Sequence, residues 1–261
     1  MGRSSLTALK YLHRLTGRRR NRTVNRQLGG ILAFVAGAVN AGGFLAVQRY
    51  TSHMTGVISA MADNLATGGL ALALAGMASL LSFVLGASCT AILINWARRR
   101  RMHSKYALAL LLEAGMLLVF GLIGANLESS GHLLVPSAVL LLCFIMGLQN
   151  AIVTKISQAE IRTTHMTGNV TDLGIELGRL LYWNRTHAAN QVHFVRANRD
   201  KLFIHAVILS LFFVGGVIGA LAFKGFGFSA TIPIACLLLV MAFPPLVRDM
   251  RRARVGHSPT P

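Results

Sequence analysis

Acidic residues are scarce in this chain: eight Asp and Glu stand against 26 Lys and Arg in 261 residues, a formal net charge of +18. Charge of either sign is thin as well, at 13% of the chain against about 25% in soluble domains. Hydrophobic residues make up 54% and the mean hydropathy is +0.57, which argues against a soluble protein and for a membrane protein. No polar stretch is long enough for a separate soluble domain. Cysteine is nearly missing. Cys89, Cys143 and Cys236 all lie inside apolar runs without ligand spacing, so they read as packing residues and not as a disulfide framework or metal site. A nucleophile elbow, a metal-ligand pair and a phosphate loop are also missing, which argues against an enzyme and calls for no cofactor.

What is present is a series of apolar runs of about 20 residues, the length that crosses a hydrocarbon core. They cover Leu28 to Val47, Leu70 to Trp96, Tyr106 to Asn126, Leu133 to Val153, Leu202 to Phe223 and Phe228 to Val247, with Pro244 and Pro245 expected to break the last helix. Basic residues cluster in short runs beside these segments, the pattern of cytoplasmic loops and not of a nucleic-acid surface. The stretch 1–27 carries basic residues and no acid and reads as a cytoplasmic anchor against anionic lipid. The polar connector from Tyr182 to Lys201 holds His187 and His193, which read as solvated loop residues.

One phrase is written twice. Thr51-Ser-His-Met-Thr-Gly56 returns as Thr163-Thr-His-Met-Thr-Gly168, differing only at Ser52 and Thr164. Upstream of each copy stands a matching phrase, Gly37-Ala-Val-Asn-Ala41 and Gly147-Leu-Gln-Asn-Ala151. Two copies in an apolar chain indicate the paired halves of a transporter or channel. After each copy comes a short amphipathic segment. Met54 to Thr67 sets Val57, Ile58, Met61 and Leu65 opposite Ser59, Asp63 and Asn64, and Val170 to Leu181 sets a leucine stripe opposite Asp172, Glu176 and Arg179. The first would be about 20 Å long as a helix, too short to span.

If both short segments dip into the membrane without crossing, six spans and a cytoplasmic N-terminus leave only Arg49 and Lys224 outside. Three crossings per repeat then invert the second half relative to the first. The expected fold is an all-α membrane protein: about six transmembrane helices plus two motif-bearing half-helices, as two inverted repeats. It forms a single membrane domain over 28–247, with repeat one over about 28–126 and repeat two over about 133–247. A basic cytoplasmic tail covers 248–261. The expected location is the bacterial inner membrane with both termini cytoplasmic, and a homo-oligomer is compatible with it.

Candidate solute or ion-pathway residues follow from polarity at membrane depth. Glu113 stands in the middle of its run, and Asp63, Asp172 and Glu176 lie on the short segments. His53 and His165 are reproduced by the repeat. Thr55 and Thr167 are N-cap candidates, with Gly56 and Gly168 leaving the backbone accessible and Asn169 following the second copy. Asn40, Gln149 and Asn150 read either as polar contacts between helices or as neutral solute ligands. For Glu113 the plain alternative is a structural hydrogen bond to Asn, Ser or His on a neighbouring helix, and for Asp63, Asp172 and Glu176 it is lining water or pairing with Arg179.

Gly-x-x-Asn-Ala followed by Thr-Thr-His-Met-Thr-Gly-Asn-Val-Thr-Asp-Leu-Gly174 resembles the YoaK-like family of bacterial membrane proteins, whose function is unknown. The resemblance covers about Leu28 to Val247 and implies an integral inner-membrane protein without implying a substrate. Where that family has Thr-Gly-Asn and an upstream aspartate in its first repeat, this chain has Val57 and Asn40. Three function classes stay open: a secondary transporter, proton-coupled through a buried acid, for a small polar or anionic solute; a passive channel; and an intramembrane enzyme, which has the least in its favour.

Overall fold

Along Leu70–Arg99 the inward residues are Ala73, Ser79, Gly86, Thr90, Ile94 and Ala97, while Leu72, Leu74, Leu81, Leu85 and Ile92 are exposed. Small inside and large aliphatic outside is the pattern of a helix that packs closely on its neighbours and turns its bulk to lipid. The computed structural model describes residues 22–102, 104–156, 164–183 and 195–255. His187, His193, Thr163 of the second motif, most of the basic N-terminal segment and the last residues of the tail lie outside the described residues.

The described elements are α-helical: α1 (Arg22–Val47), α2 (Met54–Ala66), α3 (Leu70–Arg99), α4 (Ala107–Ala125), α5 (Leu127–Ile156), α6 (Met166–Leu181), α7 (Arg199–Phe226) and α8 (Thr231–Val255), with a 3-10 turn at Gly227–Ala230. Five stretches are long and apolar enough to cross a membrane: Asn25–Val47, Leu70–Arg99, Ala107–Ala125, Leu134–Ile156 and Arg199–Val247. The last, 49 residues long, contains α7, the 3-10 turn and most of α8. The expected break at Pro244 and Pro245 does not occur, because α8 continues through both to Val255. Each proline removes one backbone bond, but the far side of the break is pinned: the Asp249 carboxylate accepts hydrogen bonds from the Ser104 N–H at 2.9 Å and its hydroxyl at 2.5 Å.

The tightest packing rests on four Phe-x-x-Gly phrases, Phe34-x-x-Gly37, Phe83-x-x-Gly86, Phe144-x-x-Gly147 and Phe212-x-x-Gly215. Each glycine lies against the carbonyl of another copy's phenylalanine. A Cβ at Gly37 would stand 2.0 Å from the Phe212 oxygen and one at Gly215 2.1 Å from the Phe34 oxygen. Likewise a Cβ at Gly86 would stand 2.0 Å from the Phe144 oxygen, and one at Gly147 2.0 Å from the Phe83 oxygen. Two helix pairs, α1 with α7 and α3 with α5, therefore cross with their backbones in contact, where Cα–H···O contacts replace side-chain packing. Ser82 donates to the Leu140 carbonyl at 2.6 Å and Thr90 to the Leu148 carbonyl at 3.0 Å, one helical turn to either side of Gly86 and in the same register. The register makes α3 and α5 parallel.

The remaining contacts place the short helices and close the bundle. The short helix α2 packs along the start of α3, with Met61 beside Gly76 and the Asn64 carbonyl accepting from the Gly69 N–H at 2.7 Å. In the same way α6 packs along the start of α7, while α4 packs on α8 and sets Phe120 against Phe223 at the end of α7 and Phe228 of the 3-10 turn.

Candidate functional site

Both motif copies begin a short helix, but their caps differ from expectation. The N-cap residues are His53 and His165, and Thr55 and Thr167 sit two positions inside. The reason is visible in the first helical bonds. The Val57 N–H bonds to the His53 carbonyl at 3.1 Å and the Asn169 N–H to the His165 carbonyl at 3.2 Å, so each helix starts at the histidine. Gly56 and Gly168 do not leave the backbone open. The imidazole of the preceding histidine folds over each one, and a Cβ at either would come within 2.3 Å of that ring.

The upstream asparagine ties down each motif. Ser52 donates to the Asn40 carboxamide oxygen at 2.8 Å, and in the second half Asn150 donates to the Thr164 hydroxyl. Equivalent residues thus make equivalent lashings. Gln149, the other polar candidate in this phrase, is buried and reaches the Leu32 carbonyl at 3.4 Å, so it acts as a contact between α5 and α1. Replacing Asn40 or Asn150 with alanine is expected to free the adjoining motif, and trypsin should cut beside it, at Arg49 or Arg162, severalfold faster while the helix pairs stay assembled. Unchanged protection in both variants would show that the lashings hold nothing.

Beyond the caps the halves diverge. His53, Gly56, Val57, Met61 and Gly76 line a cavity of about 390 Å³ beside the stacked rings of Phe44 and Tyr50, whose centroids are 4.4 Å apart. The second cavity, about 410 Å³, is lined by Asp172, Glu176 and Arg179 of α6, Arg26 of α1, and Asp200, Lys201 and His205 of α7. The two share no lining residue, and of the motif copies only the first, through Thr51, His53 and Gly56, enters either lining. Each short helix packs on the second long helix of its own repeat, which keeps the two cavities apart.

Around the polar cavity the partners are specific. Buried Glu176 places one oxygen 2.8 Å from Arg179 and accepts the Asn198 N–H at 2.7 Å on the other, fixing the end of α6 to the start of α7. Of the three acids on the short segments, Glu176 is the one that pairs with Arg179. Asp172 instead faces the His205 Nε2 at 3.8 Å, while the Asn169 carboxamide oxygen lies 3.2 Å from His205 Nδ1. Arg26 stands 3.9 Å from Asp200.

Glu113 lies elsewhere. It is fully buried on α4, and neither carboxyl oxygen has a hydrogen-bond partner among the described residues. Asp63 is exposed on α2 and shares no contact with this polar group. Among the described residues no three His, Cys, Asp or Glu side chains gather as metal ligands would. His205, Arg26 and Asp200 were not singled out by the sequence reading. The signal for His205 was its place inside an apolar run, where an ionisable side chain is expensive and functional by default.

Comparisons with known proteins agree with this architecture. The chain is 26% identical over 215 residues to UPF0700 transmembrane protein YoaK of Bacillus subtilis (strain 168), covering 81% of this chain and 90% of that protein. No solved structure matches. The family model described as a protein of unknown function, DUF1275, matches residues 28–243. The chain is a multi-pass transmembrane protein and belongs to the DUF1275 family.

Proposed function

We propose that the protein is a secondary transporter of a small polar or anionic solute, built from two inverted halves of three spans and one half-helix each. The observation that carries this reading is the exchange of partners between halves: α1 of the first crosses α7 of the second, and α5 of the second crosses α3 of the first, through the same Phe-x-x-Gly phrase. Repeats related in this way, with short helices starting at depth beside polar cavities, are the build of alternating-access carriers. The 13 residues of α2 reach about 20 Å, less than the roughly 30 Å of a hydrocarbon core. It is a half-helix in this reading, and six spans result. The positive-inside bias then sets both termini in the cytoplasm of a bacterial cell, with the basic runs against anionic headgroups of the inner membrane. Catalysis has no part in it.

Two measurements test the proposal together. Single cysteines at Thr67 and Arg196, in a background lacking the three native ones, should label with an impermeant reagent from outside and only after permeabilisation, respectively. In liposomes, one of a panel of phosphate, bicarbonate, succinate, glycine and glucose should give a saturable flux that responds to a pH gradient. A linear flux indifferent to pH would make the protein a channel. Labelling of both cysteines from one side would end the inverted-repeat reading.

A further inference from the structure

We infer that His205 binds the coupling proton, with Asn169 fixing its tautomer and Asp172 stabilising its charged form; this rests on the transporter reading above. His205 is buried in the second turn of α7 and faces α6. Its Nδ1 lies 3.2 Å from the Asn169 carboxamide oxygen, which can only accept, so Nδ1 carries the hydrogen. In a neutral imidazole Nε2 is then the lone-pair nitrogen. Nε2 points to Asp172 Oδ2 at 3.8 Å. One proton taken from cavity water forms one N–H bond at Nε2 and leaves an imidazolium between a carbonyl oxygen and a carboxylate. No other bond changes. Asp172 is 58% exposed and lines the cavity of about 410 Å³, which gives the proton its path.

The other charges around the ring are accounted for. Glu176 is held by Arg179 and the Asn198 N–H, and Arg26 stands beside Asp200. Lys201, one turn before His205 on α7, opposes the added charge. Asp172 is the acid that faces the ring.

The first half has no such site. Counting back from the Phe-x-x-Gly phrases, Gly76 of α3 occupies the position of His205, and counting on from the motif histidines, Val57 and Ala60 stand where Asn169 and Asp172 do. All three members are lost together, so the first half holds no proton site of this kind.

The test uses the full chain in liposomes with 15N-labelled histidine, His205 being assigned by difference from the His205→Gln variant. At alkaline pH its signals should show a protonated Nδ1 and a bare Nε2, and acidification should protonate Nε2. Asp172→Asn, a change at an exposed carboxylate that leaves packing alone, should weaken that proton binding about tenfold. His205→Gln should abolish the response of solute flux to a pH gradient. A bare Nδ1, proton binding unchanged in Asp172→Asn, or pH-driven flux unchanged in His205→Gln would each overturn the inference while leaving the transporter reading intact. The expected titration in a protein that moves no panel solute would support the proton site and count against the transporter reading.

Discussion

Leucine in place of Gly86 should leave almost no folded protein in the membrane. The new Cβ alone would sit 2.0 Å from the Phe144 carbonyl oxygen, and the obstacle is backbone, which cannot rotate aside. The helices must separate. Separation also breaks the hydrogen bonds from Ser82 and Thr90 to α5, the two that flank the crossing. Overpacking a core typically costs about 1–3 kcal/mol where side chains can yield, and here they cannot, so a loss at or above the top of that range is expected. The check is recovery of monodisperse protein by size exclusion after detergent extraction. Gly37→Leu should fail in the same way through the Phe212 carbonyl. By contrast Gly115→Leu, where a Cβ would meet nothing within 4 Å, should be recovered like the parent. Equal recovery of all three variants would show that the four glycines do not set the crossings.

The opposite sign is expected at Glu113. Its carboxyl group is fully buried with neither oxygen bonded among the described residues, and burying such a polar group costs about 1–3 kcal/mol by the measure of protein variants. Glu113→Leu keeps the volume and removes the cost, so it should raise the thermal midpoint of the detergent-solubilised protein by several degrees. In liposomes the same variant should lose coupled flux, and Glu113→Gln should lose it without the gain in stability. A protein carries a destabilising carboxyl at the centre of a span when the carboxyl does something. Coupled flux unchanged in Glu113→Gln would remove the residue from the mechanism, and an unchanged midpoint in Glu113→Leu would mean that the carboxyl has found a partner.

Much of this was legible in the sequence because lipid imposes strong patterns. The six apolar runs fall on α1, α3, α4, α5, α7 and α8, and the two short amphipathic stretches on α2 and α6, since length and polarity at these positions leave few alternatives. Asn40 and Asn150 stood out because the duplication repeats them, and repetition turned out to mean a shared lashing. The caps were misplaced because threonine is the better capping side chain in isolation, while here a histidine that can fold over a glycine takes the position. The four Phe-x-x-Gly phrases at the crossings carry no local signal. Glycine and phenylalanine are ordinary in spans, and only the pairing of distant copies gives the spacing its meaning. His205 was hidden for a similar reason: Asn169 and Asp172 lie well before it in the chain, and nothing local shows that α6 folds back onto α7.

The exchange of partners also governs how this chain comes to be built. A bundle of neighbours can assemble as it leaves the ribosome, each helix finding its mate at once. Here α1 is made first and its mate α7 nearly last, so the face around Gly37 must wait in lipid, unpaired, through the synthesis of everything between. The first half on its own holds α3 without α5 as well as α1 without α7. Neither half is a domain in the sense of a unit that closes upon itself; each is a template completed by the other. Insertion and packing are therefore separate events for α1, whose crossing closes only when the chain is almost finished.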